Sequence, residues 1–265
     1  MEGRSWRAGR DLILAIIDGY RRHRSGRNAA LIGYYAFISI FPLFLVFTTV
    51  LGFVLESNKE LQDTIVDSVL TKLPIIGPTL ASNELQGNTF ALITGLGLAL
   101  WSGMKAFVGV QWALDDIHEI PMEDRVGFVG TRVRALGAIA VLGLGQIGAT
   151  AVSAVAGQAQ GQSQRLLLIT GAAVINTLLL WVTYQVMCSE RSTWRSLLPG
   201  AVVAGVAFTV LQLVGTTFVS RSIGRAESVY GTFAAVIALL AWLSLHANVT
   251  VVCAELNRAL RVSRR

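Results

Sequence analysis

The sequence predicts an all-α, polytopic membrane protein: a bundle of six transmembrane helices accompanied by amphipathic interfacial helices. Of the 265 residues, 53% are apolar and only 14% are charged, where a soluble domain carries roughly 25% charged residues. The mean hydropathy is +0.59. The spacing of the charges then counts the helices, because a hydrocarbon core about 30 Å thick needs about 20 consecutive apolar residues to cross it.

Residues 1–28 form a basic, amphipathic segment. Its apolar run, Leu12 to Ile17, is short and flanked by Asp11 and Asp18, so no cleavable signal peptide is expected. Residues 5–24 fit an interfacial helix that sets Trp6, Ile13, Ile16, Ile17 and Tyr20 against an arginine-rich face. The alternative is an ordinary cytosolic helix packed on the bundle.

Residues 29–257 form the membrane domain. Its charge-poor stretches place spans near 30–54, 89–113, 135–156, 166–187, 197–219 and 229–252, and a basic tail, 258–265, follows. Between the first two spans, Leu61, Ile65, Val66 and Val69 recur at helical spacing among Lys59, Asp63 and Asp67. This is a second amphipathic helix, ended by Pro74 and Pro78. The third span is dense in Gly and Ala, which permits close backbone approach and suggests a central place in the bundle.

An even number of spans puts both termini on one side. That side collects sixteen of the Lys and Arg residues, including Arg4, Arg7, Arg10, Arg125, Arg132, Arg195 and Arg258; the other side has five, Lys59, Lys72, Arg165, Arg221 and Arg225. The basic side is the cytosol by the positive-inside rule. Orientation thus accounts for the net charge of +6, and no nucleic-acid partner is expected.

Signals for chemistry are mostly negative. Gly143, Gly145 and Gly148 match a dinucleotide-binding pattern, but no acidic residue follows at the required distance and the run is long enough to cross a membrane. It reads as a packing helix, and no cofactor is expected. The histidines His23, His118 and His246 are scattered, and Cys188 and Cys253 sit singly at the ends of apolar runs. Neither a metal site nor a disulfide is indicated. No P-loop is present, and the chain is not read as an enzyme.

Polar residues inside the spans are the candidates for function, because they are costly in lipid unless they face other helices or a cavity. The first span holds Tyr34, Tyr35, Ser39 and Pro42. Pro42 frees a backbone carbonyl, which bends a helix, and Ser39 is placed to help satisfy the opened backbone. Lys105 is the sole charge well inside a span. It either snorkels toward Asp115, Asp116 or Glu255, or lines a wet cavity.

Several segments together resemble the YihY/BrkB family of bacterial inner-membrane proteins, part of which was formerly labelled ribonuclease BN. They are Ala30-Leu-Ile-Gly-Tyr-Tyr-Ala-Phe-Ile-Ser-Ile-Phe-Pro42, Leu100-Trp-Ser with Ala113-Leu-Asp-Asp-Ile-His118, Arg195-Ser-Leu-Leu-Pro-Gly200, and Val229-Tyr-Gly231 with Trp242 and Ala254-Glu-Leu-Asn257. His118 stands where an aromatic is usual, and Cys253 where glycine is common. The resemblance implies a six-span protein of the bacterial cytoplasmic (inner) membrane. It implies a suspected role in exporting envelope lipids or polysaccharide precursors.

The reading that results is a transporter of a lipid or other amphipathic envelope component. The alternative is a non-transporting scaffold or assembly factor, and the absence of metal-ligand spacing argues against a ribonuclease. Tyr34, Tyr35, Ser39 and Pro42 form the candidate gate, Lys105 the attraction for an anionic lipid head group, and Tyr230 with Gly231 a hinge. Asp115, Asp116, Glu255 and Asn257 are the candidate cytosolic polar cluster, with Arg134 or Arg258. Membrane lipid is the expected partner; substrate, energy coupling and oligomeric state are not legible. A cavity reaching Lys105 is the mark of a transporter, and a dry core that of a scaffold.

Overall fold

The computed structural model describes residues 2–55, 89–156, 161–189, 193–230 and 233–263. These form seven α-helices: α1 (Glu2–Arg22), α2 (Ser25–Leu55), α3 (Thr89–Ile117), α4 (Phe128–Ala156), α5 (Gln162–Met187), α6 (Trp194–Tyr230) and α7 (Phe233–Val262), with a 3₁₀ turn at Met122–Asp124. The amphipathic helix expected within 56–88 lies outside the described residues.

Helices α2 to α7 close a ring. Each packs on its neighbours in chain order, and α7 returns to pack on α2. Helix α1 lies against α7 and α2. The buried side chains gather toward the end of the ring that carries the two termini: Ala29, Ala113, Leu114, Ile117, Tyr184, Met187, Leu197, Ala201, Val251 and Ala254 are nearly inaccessible. The outer surface is the reverse of a soluble protein's. Phe90, Ile93, Trp101, Leu166, Leu167, Val206, Val210 and Ile237 are all exposed, and a contiguous apolar surface of this extent is stable only against lipid.

Among the described residues five helices are long and apolar enough to cross a membrane: α2, α3, α5, α6 and α7. Two sequence expectations require correction. The Gly/Ala-rich α4 is not central; its principal contacts are α3 and α5, on one side of the ring. Small residues allow close packing but do not require it, and a Cβ at Gly137 or Gly143 would meet nothing within 4 Å. The connection expected after residue 219 is also helical. Helix α6 runs on to Tyr230, and α7 begins at Phe233 rather than near 229. At 1.5 Å per residue α6 is about 55 Å long, so part of it extends beyond a hydrocarbon core. Residues 221–230 contain no proline, and only Gly224 interrupts an otherwise helix-tolerant run.

Helix α1 packs on the bundle, as in the second of the two readings of the N-terminal segment. Tyr20 turns inward and donates to Asn248 Oδ1 at 2.7 Å, while Ile13 and Ile17 stay exposed. Arg24 takes a positive φ of 53°, which ends α1 and lets α2 start at Ser25.

Candidate functional site

The ends of α1, α2, α3 and α7 meet in a charged cluster built around His23. Its Nδ1–H donates to Glu255 Oε1 at 2.8 Å, and the hydroxyl of Ser25 donates to the same oxygen at 2.7 Å. Arg258 donates to His23 Nε2 at 2.6 Å. A guanidinium has no acceptor, so Nε2 presents its lone pair and the imidazole is the neutral, Nδ1-protonated tautomer. Both His23 and Glu255 are buried. Gly19 makes room for the carboxylate, since a Cβ there would lie 2.6 Å from Glu255 Oε2.

Glu119 completes the cluster from the segment after α3. Its carboxylate pairs with Arg258 at 2.7 Å, with Arg22 at 3.6 Å, and lies 3.4 Å from His23 Nε2. Desolvation raises its pKa, but the hydrogen bond from Arg258 and the charges of Arg258 and Arg22 together outweigh it and hold the carboxyl below its ordinary 4.5. Glu119 has φ 53°. Its N–H bonds to Asp116 O, and that of Ile120 to Asp115 O, which is the Schellman arrangement that usually places glycine at this position.

The two aspartates next to it serve separate connections. Asp115, fully buried, accepts the backbone N–H of Ser189 at 3.0 Å and its hydroxyl at 2.8 Å, and so fixes the chain where α5 ends. Asp116 pairs with Arg125 at 2.8 Å and accepts from Asn28 at 3.1 Å. Arg134 donates to the carbonyl of Cys188 at 3.0 Å. Asn257 bridges α7 to α6: its Oδ1 accepts from Gly200 N at 2.6 Å, and its Nδ2 donates to Leu197 O at 3.0 Å. Gly200 is required there, because a Cβ would strike Cys253 O and the Asn257 amide.

The five residues expected to form one polar cluster therefore each make a separate attachment. Arg258 does pair within the charged cluster, but with Glu119 and His23. Sequence reasoning missed His23, Ser25, Asn28, Glu119, Arg125 and Ser189. Their signal, polar residues at helix ends, is common to any solvated loop.

The candidate gate is dispersed. Tyr34 is half exposed and stacks edge-on with Tyr35 at 5.4 Å. Helix α2 continues through Pro42. The Ser39 hydroxyl donates to Ala36 O at 2.7 Å, not to Ile38 O, whose helical donor Pro42 removes. Lys105 Nζ lies over the Trp101 ring at 3.8 Å and 5.6 Å from the Tyr35 ring centroid, a cation–π setting. Tyr230 ends α6 with its side chain undescribed, and Gly231 lies outside the described residues.

Beside the tyrosines is a half-open apolar groove of about 460 Å³ between α2, α3 and α4. Ile32, Ala36, Ser39 and Leu43 come from one face of α2. Leu96, Ala99, Gly103, Ala106 and Val110 come from one face of α3, and Ile139 and Leu142 from α4. The small residues Ala36, Ala99, Gly103 and Ala106 create the space; a Cβ on Gly103 would touch only Ile139, at 3.6 Å. Among the described residues Ser39 is the one polar side chain in the lining, and Lys105 is not part of it. Among the described residues no group of three or more His, Cys, Asp or Glu could hold a metal ion.

A ring of lipid-facing helices with its polar contacts concentrated at one end is a multi-pass α-helical membrane protein. The chain belongs to the virulence factor BrkB family, whose family profile matches residues 16–265. It is 25% identical over 266 residues to inner membrane protein YhjD of Escherichia coli (strain K12), covering 91% of this chain and 78% of that one. It is also 20% identical over 260 residues to the ribonuclease-like protein YfkH of Bacillus subtilis (strain 168), covering 92% of this chain and 93% of the other. No solved structure matches the chain.

Proposed function

We propose that this protein is a six-span inner-membrane transporter of a lipid or other amphipathic envelope component, with both termini in the cytosol and α4 as the sixth span. One observation carries the reading: the groove between α2, α3 and α4 is walled almost entirely by hydrocarbon and rimmed by Leu43 and Leu96, which are themselves exposed on the apolar outer surface. Its volume falls within the few hundred to about 1,000 Å³ of typical ligand sites. An acyl chain entering sideways from the bilayer meets no polar cost there, whereas a water-soluble substrate would lose its hydration. The groove does not reach Lys105, so the mark expected of a transporter is not what supports the reading; Lys105, over Trp101 and near Tyr35, is proposed as a cation outside the groove for an anionic head group.

The test is movement of labelled lipid between leaflets in proteoliposomes. Gly103→Leu fills the groove and is expected to slow translocation at least several-fold while the protein remains folded in detergent. Lys105→Met is expected to slow anionic lipids more than zwitterionic ones. Lipid movement no faster than in protein-free vesicles would reject transport and favour the scaffold reading. That second reading draws on the tightly packed polar connections at the terminal end of the ring. Ribonuclease activity is not part of the proposal.

A further inference from the structure

A second pocket, separate from the apolar groove, lies between α1 and α7 beside the charged cluster. It encloses about 390 Å³ and carries four ionisable side chains: Asp18 and Arg22 from α1, Glu255 and Arg258 from α7. We propose that this pocket binds the phosphoethanolamine head group of a membrane aminophospholipid.

Unused bonding capacity is the first support. Glu255 is 2% exposed, and both donors described on it, His23 and Ser25, go to Oε1. No described residue donates to Oε2, which stands at the pocket wall opposite Gly19. That oxygen opens onto the pocket, and an ammonium N–H can donate to it in a charge-assisted hydrogen bond. Asp18, exposed on the preceding turn of α1, adds a second acceptor for the same cation. Arg258 spends two of its N–H groups on His23 and Glu119, which leaves three of five. Arg22 makes only the 3.6 Å contact with Glu119.

Charge balance selects the ligand. Two guanidinium groups and two carboxylates line the pocket, and Glu119 already pairs with both arginines, so a purely anionic head group meets at least as much repulsion as attraction. A head group that carries both signs, phosphate toward the arginines and ammonium toward Glu255 and Asp18, satisfies both pairs. Choline has the same charges but no N–H to give to Oε2.

The surroundings favour a lipid over a free metabolite. Val262, 62% exposed, forms part of the pocket wall together with Ala15 and Ala259. These residues offer an apolar shelf for the start of the acyl chains, at the level where an interfacial helix sits in a bilayer.

The experiment reconstitutes the full chain in nanodiscs of mixed phosphatidylethanolamine, phosphatidylcholine and phosphatidylglycerol, then measures the lipids retained on release by native mass spectrometry. Ethanolamine lipid is expected to be retained about tenfold over choline lipid, the equivalent of one charge-assisted hydrogen bond. N-methylation of the head group should erode the preference stepwise. Asp18→Asn and Arg22→Gln change exposed side chains outside the core and should each lower retention, with thermal unfolding unchanged. Glu255→Gln should abolish the preference. Equal retention of the three lipids, stronger retention of phosphatidylglycerol, or indifference to both α1 substitutions would overturn the proposal. So would occupancy of the delipidated protein by water-soluble phosphoethanolamine at concentrations where the lipid binds no better. Lipid translocation through the groove is read in a different assay, so either proposal can fail without the other.

Discussion

His23 donates through Nδ1 to Glu255 Oε1 over 2.8 Å, joining the end of α1 to α7 across 232 positions of sequence. Ser25 adds a second donor at the start of α2, and Arg258 closes the other side of the ring nitrogen pair. Three helices are thus tied at one buried carboxylate.

Removing that imidazole should destabilise the protein. His23→Ala leaves Glu255 buried with a single donor, a loss of about 1–3 kcal/mol. His23→Asn keeps an N–H near the position of Nδ1 and should recover part of it. Thermal unfolding in detergent reads both, and an unchanged melting temperature for His23→Ala would count against the cluster as a structural tie.

Glu119 sits in a conformation that favours glycine, so the backbone and the side chain want different residues. Glu119→Ala loses the carboxylate and keeps the strain; Glu119→Gly loses the carboxylate and relieves it. The glycine variant should be the more stable of the two by about 1 kcal/mol. Comparison of their unfolding midpoints checks the sign.

The same residue sets a pH dependence. Its folded pKa lies below the ordinary 4.5 because the hydrogen bond from Arg258 and the charges of Arg258 and Arg22 outweigh desolvation. A carboxyl depressed in the folded state contributes stability that is present above its unfolded value and lost as pH falls through the folded one. Unfolding measured from pH 7 downward should therefore show a loss below about 4.5 that is smaller in Glu119→Gln. The side chain is half exposed, which keeps the effect small.

Gly200 and Asn257 offer a test of the α6–α7 contact. Gly200→Ala puts a methyl against Cys253 O and the Asn257 amide, and should cost about 2 kcal/mol or more as an overpacked site. Asn257→Ala removes the amide part of that clash, though the Cys253 carbonyl remains, and leaves Gly200 N and Leu197 O without their partner. The double variant should therefore be less unstable than the sum of the singles, as a double-mutant cycle on unfolding would show.

The quoted segments that carry the family resemblance now have a physical content in two places. Pro199-Gly200 and Ala254-Glu-Leu-Asn257 lie far apart in sequence, and they meet through the Asn257 amide on the Gly200 backbone. Asp115 and Asp116, adjacent in sequence and expected in one cluster, point to different partners because neighbours on a helix are about 100° apart. No pattern within α3 says which of them faces Ser189 and which faces Arg125.

What the sequence determined alone was the set of helices and their solvent. Long uncharged runs such as 28–55 and 166–187 must be helical in lipid, because only a helix satisfies its own backbone there, and that rule is local. The tertiary structure decided the rest: α4 at the side of the ring, Lys105 over Trp101 instead of toward a carboxylate, and His23 between Glu255 and Arg258. Those outcomes depend on how each helix is rotated against its neighbours. Packing of side chains distant in the chain sets that rotation, and a hydrophobic period, nearly uniform around a lipid-embedded helix, does not record it.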